Sequence, residues 1–173
     1  MIFGNKNIYA IEIHHKPLDN GLFYMTSRLC IHLFNKNFGN INEEDRALAE
    51  PYMILVEKIN DLNILEYDFN LKNDYDIFNF LDDKLYINID RTLEQIKHDY
   101  KLYHIFNFMT NMGEMFNNTK SFIYMDKNKL INILFQIHDN ENKIFCSKIN
   151  KENFIKVSND FIKWYEKTEK NKK

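Results

Sequence analysis

The stretch SFIYMDKNKLINILFQIHDNENKIFCSKIN, residues 121–150, contains three apolar runs separated by two short polar segments. The runs are Ser121–Met125, Leu130–Ile137 and Ile144–Ile149, and the polar segments are 126–129 and 138–142. Apolar runs of this length, bounded by Asn, Asp and Lys, predict strands joined by hairpin turns. The stretch therefore predicts three consecutive antiparallel strands in the C-terminal half of the chain.

A helix is predicted directly after these strands, over residues 151–169, with Asn150 as its N-cap. Its apolar positions recur at helical spacing: Phe154, Val157, Phe161, Trp164 and Tyr165. A stripe of this kind usually packs on a core, so we expect the helix to cover one face of the sheet. The lysine-rich residues 170–173 are expected to fray.

The N-terminal part of the chain also predicts a hairpin. Residues 7–15 and 22–34 are rich in Ile, Tyr and Leu, and the segment Asp19-Asn20-Gly21 between them contains residues that tolerate positive φ. Residues 35–40, which include three Asn and Gly39, predict the next turn. Both ends of the chain therefore predict strands that follow one another as hairpins.

The middle of the chain predicts mainly helices. Leu48, Tyr52 and Leu55 recur at helical spacing and indicate a helix from about Glu50 to 61–64. The remaining predictions are a possible strand at 65–71, a short helix begun by Asp74, one or two helical turns at 91–99, and a strand at Leu102–Met109. Together they predict an α+β fold, a single domain over residues 1–169. In it an antiparallel sheet of hairpins packs against the C-terminal helix and one or two further helices.

Composition narrows the function classes. The net charge of −2 gives no general attraction to nucleic acid or to an anionic membrane. No apolar run approaches the roughly 20 residues that span a bilayer, and Met1–Asn5 lacks the features of a secretory signal. Cys30 and Cys146 lie in apolar runs, which favours buried free thiols over a disulfide. We therefore expect a cytoplasmic protein that binds neither nucleic acid nor membrane.

The candidates for catalysis are weak. Adjacent strand residues point to opposite faces, so His14 and His15 cannot share one ligand sphere, and His32 can face solvent. The pairs Asp74/Asp76 and Asp82/Asp83 could be read as glycosidase carboxylates, but nothing predicts the cleft or the raised pKa that such chemistry needs. A solvated acidic face is the favoured interpretation of these pairs.

The loop Thr110–Lys120 allows two interpretations. It places Met112, Gly113, Glu114, Met115 and Phe116 in a segment outside the predicted strands. In the first interpretation Gly113 supplies a positive φ and Phe116 folds back onto the core. In the second, the loop is a recognition element.

Three short segments resemble one family of proteins. Met1-Ile2-Phe3-Gly4-Asn5-Lys6, running into Tyr9-Ala10-Ile11-Glu12, resembles the start of bacterial polymorphic-toxin immunity proteins. Residues 108–116 resemble their Thr-Asn-x-Gly-Glu-x-Phe segment, and Phe161-Ile162-Lys163-Trp164 resembles their closing aromatic helix. The chain is most similar to the immunity-protein family numbered forty-two.

The resemblance implies a small cytoplasmic α+β protein that binds and neutralises a cognate toxin domain. It implies neither catalysis nor a cofactor, and the toxin could be a nuclease. The sequence leaves open the alternative of a small ligand-binding or regulatory module, and it leaves the oligomeric state open as well. Immunity proteins against nucleases are commonly acidic, because they must match the phosphate-binding face of the enzyme.

Residues 57–99 carry eleven acidic and five basic side chains, a local charge of −6. They are therefore the predicted toxin-binding segment. The candidate interface residues in it are Asp61, Glu66, Tyr67, Asp68, Asp74, Tyr75, Asp76, Asp82 and Asp83. The two tyrosines are the predicted aromatic anchors.

Overall fold

The computed structural model describes residues 1–16, 26–34, 36–42, 48–71, 73–86, 91–110, 114–117, 119–137 and 143–170. Its strands are β1 (Ile2–Asn5), β2 (Tyr9–Lys16), β3 (Thr26–Leu33), β4 (Lys36–Phe38), β5 (Thr119–Met125), β6 (Leu130–Ile137) and β7 (Ile144–Asn150). Its helices are α1 (Ala49–Asn60), α2 (Asp74–Tyr86), α3 (Leu93–Phe106) and α4 (Lys151–Lys170), with a short 3-10 turn at Glu114–Phe116. The predicted α+β class with antiparallel strands is confirmed.

The described strands form two sheets where the sequence predicted one. The first sheet has the order β1-β2-β3-β4 and the second the order β5-β6-β7, and every pairing is antiparallel. In the first sheet Tyr9, Ile11 and Ile13 of β2 point to the core, because side chains alternate along a strand. β1 extends this sheet beyond the predicted hairpin.

The N-terminal hairpin is confirmed by the pairing of β2 with β3, for example Ile11 with Ile31. The predicted turn Asp19-Asn20-Gly21 lies outside the described residues, as does the start of the predicted strand 22–34. Within the predicted turn 35–40, Lys36–Phe38 instead forms the short strand β4, which pairs with the end of β3. Phe38 drives this pairing, because its ring is fully buried.

The C-terminal sheet agrees with the sequence prediction. At the turn between β5 and β6, Asp126 accepts the backbone N–H of Asn128 at 2.8 Å, and Lys129 adopts a positive φ of 62°. The predicted turn at 138–142 lies outside the described residues. Asn150 caps α4 as predicted, since its side-chain oxygen accepts the N–H of Glu152 at 2.9 Å.

The predicted strand at Leu102–Met109 is wrong, because residues up to Phe106 belong to α3. A capping box between Thr92 and Gln95 begins this helix, and Leu102 and Phe106 share its buried face. A short apolar run does not separate a strand from a buried helix end by its pattern alone. The helical turns predicted at 91–99 are therefore the first half of a longer helix.

The possible strand at 65–71 is also not formed. Glu66 makes a single isolated bridge with Met125, and Asn70 takes a positive φ of 49° that interrupts an extended run. The segment instead places Leu65 and Phe69 against the core. None of the helices in the described ranges has the length and apolarity needed to cross a bilayer.

Four phenylalanine rings join the two sheets. The Phe38 ring of β4 lies 5.4 Å from Phe135 of β6, 5.4 Å from Phe116 and 6.0 Å from Phe108, measured between ring centroids. All four side chains are fully buried. Gly39 follows at a φ of 89°, where an added Cβ would lie 2.6 Å from the Phe116 ring. We name Phe38, Phe108, Phe116 and Phe135 the aromatic joint.

Replacing Phe38 with alanine should destabilise the protein by about 3–5 kcal/mol, since it leaves a cavity between the two sheets. The measurement is the free energy of unfolding from urea titration. Phe34→Ala is the matched control, because Phe34 is exposed, and its effect should stay within about 0.5 kcal/mol. Equal losses in the two variants would contradict the role given to the aromatic joint.

Candidate functional site

The predicted acidic residues lie on three consecutive pieces of the chain. Asp61 follows α1, Glu66 to Asp68 lie in the connection, and Asp74 to Asp83 lie on α2. Asp61, Asp68 and Asp83 are exposed, and Asp76 is half-buried. The structure thus separates the set into carboxylates that face solvent and carboxylates that serve the fold.

Two carboxylates of the set, the largely buried Asp82 and the exposed Glu66, pair with lysines of the second sheet and its turn. Both oxygens of Asp82 accept hydrogen bonds from Lys120 of β5, at 2.7 and 2.9 Å, and both side chains are largely buried. Glu66 forms an ion pair with Lys129 next to β6, where both side chains are partly exposed. Asp82 therefore anchors α2 on β5, whereas the more exposed Glu66 pair contributes little to stability.

Asp74 is also engaged inside the protein. Its carboxylate accepts the Tyr124 hydroxyl at 3.3 Å and has a side-chain hydrogen bond with Cys146. Burial is the larger cause that raises the pKa of the Tyr124 hydroxyl far above its usual value, and the negative charge of Asp74 adds to it. The same two causes raise the pKa of the Cys146 thiol to about 12. Both groups therefore stay protonated and donate to Asp74, which ties the first turn of α2 to the second sheet.

Asp76 completes the start of α2. Asn73 accepts the backbone N–H of Asp76 at 2.9 Å and donates its side-chain amide to the Asp76 carboxylate at 3.0 Å. Tyr75 between them is 61% exposed, whereas Tyr67 is partly covered by the Phe69 ring, 4.5 Å away. Of the two predicted aromatic anchors, Tyr75 is the more accessible.

The loop candidates divide in a similar way. Met112 and Gly113 lie outside the described residues, and Glu114 begins the 3-10 turn. Met115 and Phe116 are buried, and the Met115 sulfur accepts the backbone N–H of Leu29 at 2.9 Å. The part of the first interpretation that folds Phe116 back onto the core is confirmed, whereas the φ predicted for Gly113 lies outside the described residues.

A cluster of charged groups around Glu12 was not predicted. Lys6, His32 and His14 lie 2.5, 2.7 and 3.2 Å from the Glu12 carboxylate. His32 is only 7% exposed, so the expectation that it faces solvent is wrong. The hydrogen bond from Lys6, followed by those from the two histidines, lowers the pKa of Glu12 to about 2. Only the register of β2 on β3 brings Glu12 and His32 together, and the sequence pattern does not give that register.

Two cations that hold helix ends, the buried Lys58 and the half-buried Arg91, were also missed. Lys58 of α1 is 2% exposed and donates to the carbonyl oxygens of His104 and Ile105, at 2.8 and 3.0 Å. These carbonyls belong to the last turn of α3, where a positive charge is favourable. Burial lowers the pKa of Lys58, while the adjacent Glu57 carboxylate, 2.9 Å away, opposes the shift.

Arg91 holds the end of α2 in the same manner. It donates to the carbonyl oxygens of Asp83 and Lys84 and lies 3.0 Å from the buried carboxylate of Asp99 on α3. Lys84 lies 3.4 Å from the same carboxylate. Arg91 and Asp99 thereby fix α2 against α3.

An open cleft of about 640 Å³ lies between α2 and α3. Its walls include Phe80 and His98 together with the ion-paired Lys84, Arg91 and Asp99. Within the described ranges, no three His, Cys, Asp or Glu side chains converge as a metal site would require. The described surface presents exposed acidic and aromatic side chains, and ion pairs and hydrogen bonds hold the helices beneath them in place.

The sequence matches the family described as Immunity protein 42 over residues 1–164, and the chain belongs to that family. It is accordingly an immunity protein, whose function is to neutralise a bacterial toxin in competition between bacteria. None of the curated proteins matches the sequence.

Among solved structures, the chain is similar to CdiI from Burkholderia dolosa AUO158. The TM-score is 0.59 and the identity 11%, and the match covers 94% of this chain and 98% of that chain. At this identity the likeness shows a shared fold.

The Glu12 cluster generates a prediction about pH. The pKa of Glu12 is lowered from 4.5 to about 2, so its ionised form stabilises the folded state above pH 4.5 and loses this effect as the pH falls through 2. Glu12→Gln should therefore lower the free energy of unfolding at neutral pH. The difference from the wild type should shrink as the pH is lowered from 4.5 towards 2.

Urea titrations of both proteins across this range provide the measurement. Lys6→Met is the companion variant and should reproduce part of the effect, because Lys6 is the largest cause of the shift. A difference between Glu12→Gln and wild type that does not change with pH would contradict the account.

Proposed function

We propose that this immunity protein neutralises its toxin by stoichiometric, non-covalent occlusion, without catalysis. Membership in an immunity family supports the toxin as partner. The observation that carries the mechanism is the division of the acidic set. Asp74 and Asp82 hold helix α2 on the second sheet. Other carboxylates of the set, on α2 and on the connection before it, remain exposed, as a binding surface requires.

The proposed contact residues are the accessible members of the predicted set. Asp61, Asp68 and Asp83 are exposed, Asp76 is half-buried, and Tyr75 offers an exposed ring beside Asp76. Carboxylates around an aromatic anchor fit a partner with a basic surface, such as the substrate-binding face of a nuclease. Glu66 and Tyr67 belong to the rim of this surface. Asp74 and Asp82 support it from within.

The loop Thr110–Lys120 contributes fewer contact residues than the acidic segment. Met115 and Phe116 are buried and would act only by holding the loop in place. Met112, Gly113 and Glu114 remain candidates for direct contact. The protein is proposed to act inside the cell, where a toxin delivered from a neighbour would meet it. The family match gives no support to the alternative of a ligand-binding or regulatory module.

The test is co-expression of this chain with the toxin domain encoded next to its gene, read by growth and by co-purification. The wild type should restore growth and form a one-to-one complex. The double variant Asp68→Lys/Asp83→Lys reverses two exposed charges and should weaken the complex at least tenfold, which corresponds to about 1.4 kcal/mol. Failure of the wild type to bind or protect would overturn the function.

Glu152→Lys/Asp160→Lys is the matched control, because it makes the same charge change on exposed positions of α4. The control should retain binding. If both double variants bind as tightly as the wild type, the acidic contact surface is wrong while occlusion itself stands. If both weaken binding equally, the effect is one of net charge and again the specific surface is wrong.

A further inference from the structure

Helix α3 carries a second apolar face that points away from the core. Leu93, Ile96 and Tyr100 are 77%, 49% and 60% exposed. At about 100° per residue they lie on one side of the helix, roughly opposite the buried Leu102 and Phe106. We name Leu93, Ile96 and Tyr100 the α3 stripe.

The α3 stripe is unusual for a surface helix. Such a helix normally has one apolar side, which it buries, and a polar side in water. In α3 the buried side, with Leu102 and Phe106, already packs on the core, so the exposed stripe does not contribute to core packing. Large apolar side chains aligned on an exposed surface mark sites of protein–protein interaction.

A small cavity adjoins the stripe. The Tyr100 ring contacts the His104 ring at a centroid distance of 4.2 Å, and His104 in turn lines a cavity of about 210 Å³ between α1 and α3. Ile64 and Leu65 form part of its apolar wall, and Ile64 is itself exposed. A cavity beside an apolar stripe can receive one anchoring side chain of a partner, the arrangement that concentrates binding energy at interfaces.

The charges beside the stripe specify the partner further. Lys97 and Lys101 are exposed, lie one turn apart on the flank of the stripe, and form no ion pair with a carboxylate within the described ranges. Carboxylates on the partner would complement them. Asp61 also lines the cavity, so this surface meets the acidic surface proposed above.

A second copy of the chain fits this surface poorly. Lys97 lies midway along the length of the stripe, on its flank and about 40° around the helix from Leu93. In a two-fold dimer, residues near the symmetry axis face their own copies. Pairing two stripes antiparallel about their midpoint would therefore bring the two Lys97 side chains to the same edge of the interface, a repulsive contact. The stripe suits a different protein.

We propose that the α3 stripe and its adjoining cavity form a contact surface for the cognate toxin domain. The toxin contributes an apolar side chain to the cavity and carboxylates opposite Lys97 and Lys101. This inference rests on the proposed function, since it assigns the toxin to a particular face of the protein.

The test measures the dissociation constant between the purified chain and the toxin domain encoded next to its gene. Ile96→Ser/Tyr100→Ser should weaken binding about 100-fold or more, because truncation of central interface residues commonly has effects of this size. Met53→Ser/Ile2→Ser is the matched control, since both of its side chains are exposed on other elements. It should bind like the wild type.

The outcomes are distinguishable. Loss of binding in the stripe variant alone, with an unchanged melting temperature, supports the proposal. If the wild type binds and the stripe variant binds equally well, the proposal is overturned while the toxin-neutralising function stands. If the wild type does not bind, the proposed function fails. A dimeric wild type that the stripe variant makes monomeric, with toxin affinity unchanged, would assign the stripe to self-association and overturn the proposal.

A second variant tests the charge of the partner and leaves the apolar side chains in place. Lys97→Glu/Lys101→Glu should weaken binding at least tenfold, and added salt should weaken the wild-type complex. Lys127→Glu/Lys148→Glu is the control, because both lysines are exposed on the second sheet and its turn. If the α3 charge variant binds as tightly as this control, the acidic complement proposed for the toxin is wrong.

Discussion

The contact of Phe38 with Phe135 is the interaction on which the rest of the structure depends. Phe38 belongs to the last strand of the first sheet and Phe135 to the central strand of the second, so their contact determines how the two sheets meet. Phe108 and Phe116, which lie between α3 and β5, enclose the pair and are thereby drawn into the core. Both faces of the joint are apolar and fully buried, so its contribution comes from close packing.

Ion pairs and hydrogen bonds hold the two helices that carry the proposed binding surface, α2 and α3, in place on the core. Helix α3 is held at its start by the Thr92 capping box, in its middle by Arg91 on Asp99, and at its end by Lys58. Helix α2 is held by Asp74 and Asp82 on the second sheet. A surface fixed in this way loses little conformational entropy when a partner binds, which favours tight association. The same contacts explain why several acidic residues of the segment are unavailable to a toxin.

Local patterns in the sequence were enough to predict β5 to β7, the β2–β3 hairpin and the N-cap of α4. These patterns wrongly predicted a strand at Leu102–Met109. The end of helix α3 and the buried residues that follow it form one apolar run there, which resembles a strand. The site was predictable only in outline. The acidic and aromatic composition of residues 57–99 was enough to predict Asp68 and Tyr75 as surface candidates. The partners of Asp82 and Lys58 are 38 and 46 residues away in the chain, so no local pattern could predict those contacts. The α3 stripe was missed because the sequence predicted only one or two helical turns at 91–99. Without Leu102 and Phe106 in the same helix, the side that faces the core could not be told from the side that faces solvent.

The most direct test of the account is oxidative footprinting of the complex with the toxin domain. Tyr100 and Tyr75 are exposed on α3 and α2, and Met53 is exposed on α1, so all three react in the free protein. Toxin binding should protect Tyr100 most strongly and Tyr75 as well, while Met53 keeps its reactivity. Protection of Met53 with unchanged oxidation of Tyr100 and Tyr75 would place the toxin on another face and contradict the central claim.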